Sequence, residues 1–245
     1  MKHVSITLTV LLFAACSDPV DTTESLITAM NHEYSDGYFR TLTFTQKTVN
    51  TLPDGSKREE IWYESMKVPG MLSIRFDPVD SGRGVIFRND SLHVMDQGKP
   101  MLTRPLIHPL LVLGFDVHFS PVGETMRKLA DLGYDLSVMH ESTWRDRPVY
   151  VVGAGAGDDS SKQFWVDKKR LVFLRSMEIN PNNGVRMEVQ FNKYERVDGG
   201  WVAPEVLFLR DGKVLTEEYY SDLRTNVGID EREFDPEGWM YAAGN

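Results

Sequence analysis

The chain has 245 residues, is 41% hydrophobic with 11% aromatic residues, and carries a formal net charge of −9. A hydrophobic content this high supports a sizeable core and excludes a disordered chain. The acidic balance excludes the basic surface that phosphate contacts require, so we predict no nucleic-acid partner.

The N-terminus has the three-part pattern of an export signal. Lys2 precedes an apolar run from 4 to 13, and Ala14 and Ala15 stand directly before Cys16, the single cysteine of the chain. The apolar run is shorter than the roughly 20 residues that a membrane-spanning helix needs. One interpretation is an ordinary signal peptide cut near Ala15, which leaves a free thiol in an oxidising compartment.

The other interpretation rests on a resemblance: the Ala-Ala-Cys ending is similar to the bacterial lipobox, although Phe13 stands where leucine is usual. In a lipobox, lipid is attached to the thiol and the chain is cut just before it. The resemblance implies that 1–15 is a lipoprotein signal peptide, Cys16 the lipidated residue and 16–23 a tether. Because Ser17 rather than aspartate follows the cysteine, it also implies export to the outer membrane. We therefore expect a lipid-anchored, periplasm-facing protein of the cell envelope, on the outer membrane rather than the inner.

The remaining chain, 24–245, contains no linker long enough to divide it, so we expect a single domain. Its first element is a predicted helix with Thr22 or Thr23 as the cap, because apolar residues recur there at helical spacing. Those residues are Leu26, Ile27, Met30 and Tyr34.

From Tyr38 the apolar period changes to two, which is typical of strands buried on one face. Turn sequences at 53–55 and at Pro69-Gly70 separate the first strands. In total the pattern predicts about twelve antiparallel strands. The later segments predicted as strands are 84–88, 91–95, 135–143, 147–153, 163–167, 171–179, 185–195, 201–209 and 213–222.

One segment, 104–132, interrupts the strand pattern. Residues 104–115 are strongly apolar and contain prolines, and 121–132 predict a short amphipathic helix with a proline near its first turn. These elements predict a mainly β (α+β) fold. We expect a strongly curved, incomplete antiparallel β-barrel with an N-terminal helix and a mid-chain helical lid or plug.

The sequence shows no catalytic constellation, so we predict a protein that is not an enzyme, binds no metal and has no cofactor. The histidines are scattered, and the glycine-rich 153–157 is followed by two aspartates that would repel a phosphate. Acidic residues alternate with apolar ones on strands, which predicts a solvated outer face rather than carboxylates shielded from water. A hydrolase with a non-standard site remains an alternative.

A curved sheet of this size has an apolar interior that side chains or a ligand must fill. Residues 104–115 either cover the core without moving or form a lid over a pocket for an acyl chain. Burial at about 0.8 kcal/mol per methylene would give such a pocket affinity without specific polar contacts. The predicted inward residues are Leu42, Phe44, Leu72, Ile74, Phe76, Phe173, Met177, Met187, Val189 and Phe191, with Leu106, Leu110, Leu111 and Phe115 in the lid.

Short motifs across 24–236 occur in an order that points to a known family. They are Phe44-Thr45-Gln46, Lys67-Val68-Pro69-Gly70 with the strand to Phe76, Phe164-Trp165-Val166-Asp167, Tyr194 to Pro204, and Asn226 to Phe234. Together they resemble the LolA/LolB-like superfamily of periplasmic lipoprotein carriers and outer-membrane receptors. The resemblance implies an incomplete antiparallel barrel closed by helices around a cavity for acyl chains.

Two positions depart from that family. The soluble carrier has an arginine directly before the turn proline, which holds its lid closed; here Val68 occupies that position, and Arg75 or Arg104 is the candidate substitute. The receptor has an exposed leucine on a loop that is polar here, at 77–84, with Val79 as the candidate. The resemblance implies lipid or lipoprotein acyl chains, and envelope transport proteins, as partners. The alternative is a structural or envelope-interaction lipoprotein with a filled core and no ligand.

Overall fold

The structure is a computed structural model that describes residues 19–34 and 37–242. Cys16, the segment before it and Asp36 lie outside the described residues. The described helices are α1 (Thr23–Tyr34), α2 (Pro109–Gly114) and α3 (Val122–Asp131), with short 3-10 helices at Val79–Ser81, Asp116–His118, Glu231–Phe234 and Trp239–Tyr241. The described strands are β1 (Thr41–Thr51), β2 (Lys57–Lys67), β3 (Met71–Phe76), β4 (Gly84–Arg88), β5 (Ser91–Asp96), β6 (Lys99–Pro105), β7 (Met139–Trp144), β8 (Arg147–Val152), β9 (Gln163–Asp167), β10 (Phe173–Ile179), β11 (Arg186–Asn192), β12 (Glu195–Val197), β13 (Gly200–Val202), β14 (Glu205–Arg210) and β15 (Lys213–Thr225).

Within the described residues, thirteen strands form one antiparallel sheet in the order β6-β5-β4-β3-β2-β1-β15-β14-β11-β10-β9-β8-β7. Strands β12 and β13 form a separate hairpin between β11 and β14. The edge strands β6 and β7 follow one another in the chain, so the helical segment 106–138 runs from one edge of the sheet to the other. The mainly β fold with a mid-chain helical segment is confirmed.

The sheet is strongly curved but not closed. Phe87 on β4 and Val189 on β11 line the same cavity, although five strands lie between them in the sheet order. At about 4.8 Å per strand, a flat sheet would hold these two positions roughly 29 Å apart. We call the face that packs against α1, α2 and α3 the inner face, and the opposite face the outer face.

The helices cover the inner face with a continuous apolar core. Leu26, Ile27 and Met30 of α1 are fully buried, as are Leu113 of α2 and Leu129 of α3. Each such side chain contributes about 1.5–3 kcal/mol through burial. Their partners from the sheet include Phe164, Val166, Phe173 and Val206.

Several predicted elements are confirmed with small shifts. The N-terminal helix is α1, where Thr22 Oγ1 accepts a hydrogen bond from the Ser25 N–H at 3.1 Å, and the amphipathic helix is α3. The predicted strand at 135–143 begins only at Met139. Before it the chain turns, because Asp135 Oδ1 accepts a hydrogen bond from the Ser137 N–H at 3.0 Å. The turn at 198–200 joins the hairpin β12–β13 rather than two strands of the main sheet.

Strand β6 (Lys99–Pro105) is not predicted by the alternation pattern. All of its residues are exposed, so one-sided burial imposes no period of two on them. It also contains Pro100 and Pro105, which an edge strand tolerates because one side of its backbone has no pairing partner. The apolar segment predicted at 104–115 therefore starts inside a strand, and its helical part is α2 alone.

The C-terminal segment packs on the outer face over β3 and β4. Arg75 Nε donates to Glu233 Oε1 at 2.8 Å and Nη2 donates to Oε2 at 2.7 Å, with both side chains almost fully buried. Arg75 Nη2 also donates to the Trp239 carbonyl at 2.8 Å. Arg75 therefore points away from α2, and Arg104 is exposed on β6, so the expectation that either one holds the helical segment is wrong. Val79, the candidate for an exposed loop residue, is partly buried in a 3-10 helix.

Candidate functional site

Two adjoining cavities lie between the inner face of the sheet and α2. The first has a volume of about 310 Å³ and the second about 330 Å³. Both volumes fall at the lower end of the range of about 300–1,000 Å³ that is typical of small-molecule sites. The two cavities share walls formed by Phe87, His108, Leu110 and Phe208.

Most of the residues expected to point inward border one of these cavities. Those at the first cavity are Phe44, Leu72, Ile74, Phe76, Leu110, Leu111, Phe115 and Phe191. Those at the second cavity are Leu106, Leu110, Met187 and Val189. Two others, Leu42 and Phe173, are fully buried in the core and border neither cavity.

The expected inward direction of Met177 needs correction. Met177 borders the second cavity, but its Sδ lies 3.8 Å from Arg175 Nη2. Arg175 pairs with Glu188 on the outer face, and Met177 is directly opposite Glu188 in the strand register. A bulge between Phe173 and Arg175 shifts the register, so Phe173 and Met177 face opposite sides despite their even spacing.

The local sequence of α2 explains why this short helix forms against the cavities. His108 is its N-cap, and its Nδ1 accepts a hydrogen bond from the Leu111 N–H at 3.1 Å. Pro109 at the first helical position has no N–H that would need a partner. Burial lowers the pKa of His108 to about 4, so the ring stays neutral and keeps the lone pair that caps the helix.

The chain after α2 is held to the turn between β2 and β3. Asp116 Oδ1 accepts a hydrogen bond from the Gly70 N–H at 2.8 Å. Burial raises the pKa of Asp116 to about 7, although the Gly70 N–H and the positive charge of Lys128 lower it. The carboxyl group is thus held in contact with a backbone donor at the edge of the cavity region.

One wall of the first cavity is polar. It is formed by Gln46 on β1, Glu64 on β2, and Glu218 and Tyr220 on β15. Glu64 is only 6% exposed and lies opposite Phe44 and Ile74, which border the same cavity. The prediction that the acidic strand residues form a solvated outer face is therefore wrong for Glu64 and Glu218.

The pKa values of both carboxyl groups are raised. Burial raises the pKa of Glu64 well above its ordinary value, and the charge of Glu218 raises it further. Burial also raises the pKa of Glu218 to about 7, against the effect of hydrogen bonds from Tyr220, at 3.2 Å, and Gln46. Within the part of the chain that the structure describes, the Glu64 carboxyl group forms no hydrogen bond and no ion pair with another side chain.

The sequence carried a signal for this polar wall. Glu64 has the same strand parity as Trp62 and Met66, and Gln46 the same parity as Leu42 and Phe44. Acidic residues on strands are mostly exposed. The residue type therefore predicted an outward direction for Glu64, although its position in the alternation indicated an inward one.

Comparison with known proteins shows the fold. No family model matches the chain, and no curated protein matches it. Among solved structures, a DUF1329 family protein from Desulfovibrio piger is similar at 18% identity with a TM-score of 0.61, covering 89% of this chain and 98% of that one. A protein described as an outer membrane lipoprotein-sorting protein domain, from Vibrio parahaemolyticus, is similar at 14% identity with a TM-score of 0.60, covering 89% and 97%.

A LolA superfamily protein from Nitrosomonas europaea is similar at 13% identity with a TM-score of 0.54, covering 87% of this chain and 97% of that one. At these identities the likeness extends to the fold alone, and the chain has a LolA-like fold. Among residues 19–34 and 37–242, no helix combines the length and the apolar character needed to cross a membrane.

Proposed function

We propose that this chain binds lipid or lipoprotein acyl chains in the two adjoining cavities, as a non-enzymatic protein of the bacterial cell envelope. The observation that carries the proposal is the pair of apolar walls of the first cavity, one from β3 and one from α2. Leu72, Ile74 and Phe76 come from β3, and Leu110 and Leu111 come from α2. An alkyl chain between these surfaces would lose its contact with water, at about 0.8 kcal/mol per methylene.

The similar structures support the class of ligand. One of them is described as a lipoprotein-sorting domain and another as a LolA superfamily protein. Fold alone does not determine function, and the apolar cavity walls of this chain are what favours an alkyl ligand. We also propose that the chain acts in lipid or lipoprotein transport or sorting.

We further propose that residues 1–15 are a signal peptide, that Cys16 carries the lipid, and that 24–245 is one domain facing the periplasm. The Ala-Ala-Cys sequence and Ser17 support an anchor in the outer membrane. A fixed anchor suits a receptor or a local lipid handler better than a carrier that must cross the periplasm. Envelope transport proteins are the partners that such a role requires.

Native mass spectrometry of the protein, purified from its own envelope, tests the binding function. We expect a co-purifying lipid and, after its removal, saturable uptake of a fluorescent fatty acid. If the purified chain carries no lipid and takes up no fatty acid, the proposal fails. The structural lipoprotein with a filled core would then be the better description.

A further inference from the structure

Glu64 is the feature of the cavity that acyl-chain binding leaves unexplained. It is 6% exposed, borders the first cavity and, among the described residues, forms no hydrogen bond and no ion pair with another side chain through its carboxyl group. Glu218, on the other side of β1, borders the same cavity. An alkyl chain alone gains nothing from two carboxyl groups in its binding site.

Aromatic rings accompany the two carboxyl groups. The rings of Phe44 and Tyr220 are 4.4 Å apart between their centroids, and those of Trp62 and Phe76 are 5.0 Å apart. All four residues border the first cavity. Elsewhere in the described chain, rings such as Trp239 and Trp165 have an arginine over one face, at 4.1 and 4.6 Å. No described lysine or arginine lies over the four rings of the cavity.

The first cavity also contains no cationic side chain of its own. Its walls include neither lysine nor arginine, and its one histidine, His108, caps α2 with Nδ1. The described residues that line the adjoining cavity include one lysine, Lys162, which pairs with Glu178 at 2.7 Å. Carboxyl groups and aromatic faces are therefore concentrated at one wall, with no lysine or arginine among the described residues that line it.

Carboxylates next to aromatic faces are the chemistry with which proteins recognise organic ammonium groups. We propose that Glu64, Glu218 and the two aromatic pairs bind the amine head of a single-chain cationic amphiphile, whose alkyl chain lies along Leu72, Leu110 and Phe208. This inference rests on the proposed acyl-chain binding and names the head group that the same cavity selects.

Other head groups fit this wall less well. A carboxylate or phosphate ligand would meet two carboxyl groups and no cation. An alcohol would gain a single hydrogen bond but no ion pair. An ammonium group gains an ion pair with Glu64 and contact with the ring faces, and the Glu64 carboxyl group loses its proton to solvent when the ammonium binds. Desolvated contacts between a cation and an aromatic ring are favourable, so we expect a preference of about tenfold for the ammonium group.

Calorimetric titration of the full-length chain with decylamine, decanol and decanoic acid tests the inference near neutral pH. We expect decylamine to bind about tenfold more tightly than decanol. Parallel titrations in buffers of different ionisation enthalpy should show proton release with decylamine and none with decanol. Equal affinity for the amine and the alcohol would overturn the head-group assignment while leaving the acyl-chain function intact. If none of the three ligands binds, the proposed function itself fails.

Glu64→Gln keeps the shape of the side chain and removes its charge. We expect this variant to lose both the preference for decylamine over decanol and the proton release. Glu218→Gln should reduce the preference as well, and it provides a second measurement if Glu64→Gln does not fold. The matched control is Glu59→Gln, since Glu59 is exposed on the same strand and pairs with Lys47. A preference that survives in both cavity variants would contradict the proposal.

Discussion

Asp116 and Gly70 join the helical segment to the sheet: the carboxyl group of Asp116 accepts the backbone N–H of Gly70 at 2.8 Å. The family resemblance implied a contact between these same two elements, made by an arginine before the turn proline. In this chain Val68 is at that position, and the polar side chain comes from the helical segment instead. The contact is therefore made with a group that titrates, which an arginine does not do.

Asp116→Asn should change how stability depends on pH. Burial raises the pKa of Asp116 from 3.8 to about 7, so the folded state holds the proton more tightly than the unfolded state. Stabilisation from this group is complete below about pH 4 and is lost as the pH rises through about 7. The asparagine still accepts from Gly70 but does not titrate. By urea unfolding, the variant should match the parent near pH 4 and exceed it near pH 8 by at most roughly 4 kcal/mol.

Two further variants make that measurement specific. Asp116→Ala removes the acceptor of the Gly70 N–H, so it should destabilise the fold at both pH values by about 1–3 kcal/mol. Asp96→Asn changes an exposed aspartate on β5 and should leave the pH profile unchanged. Parallel pH profiles for Asp116→Asn and the parent would show that Asp116 titrates normally.

The ion pair of Arg75 and Glu233 should stabilise the fold without affecting the cavities. Its side chains are 8% and 3% exposed, and it lies on the outer face under the C-terminal segment. Arg75→Met leaves a buried carboxylate unpaired, which costs about 3–5 kcal/mol. Arg75→Met combined with Glu233→Gln should recover part of this loss in denaturant unfolding. Binding of a fluorescent fatty acid by the folded fraction should not change, and a large loss of affinity would show that the two faces are coupled.

Filling the cavities should abolish binding while the fold remains. Leu110 borders both cavities and is partly buried on α2, so Leu110→Trp adds volume where an alkyl chain would lie. We expect at least about a tenfold loss of affinity for a fluorescent fatty acid, equivalent to about 1.4 kcal/mol. Leu102→Trp is the matched control, because Leu102 is 48% exposed on the edge strand β6. Unchanged affinity in a folded Leu110→Trp variant would place the ligand elsewhere.

The anchor makes a separate prediction. Cys16→Ser removes the thiol to which lipid would be attached, so the chain should move from the membrane fraction to the soluble fraction of the envelope. Incorporation of labelled palmitate should be lost at the same time. Ser17→Ala keeps the cysteine and should retain both the label and the membrane association. A Cys16→Ser chain that still sediments with membranes would argue against a lipid anchor.

Periodicity predicted the elements wherever one-sided burial imposes it, as in α1 and β11. It did not predict β6, whose residues are all exposed, and it gave the wrong direction for Met177 because the bulge after Phe173 reverses the alternation. Local sequence patterns could not predict which strands meet at the cavities, for a different reason. Phe87 and Val189 come together through the curvature of a sheet whose order alternation does not specify.

Glu64 should be a residue that costs stability when no ligand is bound. Its pKa is raised well above the ordinary 4.5, mainly by burial, so the folded state loses stability as the pH rises from about 4.5 through the raised pKa. Glu64→Gln should therefore be more stable than the parent near pH 8, by at least about 1 kcal/mol, and similar near pH 4. Glu59→Gln, at an exposed position, should stay within about 0.5 kcal/mol of the parent. If Glu64→Gln instead lowers stability at both pH values, Glu64 stabilises the fold and is not kept for a ligand.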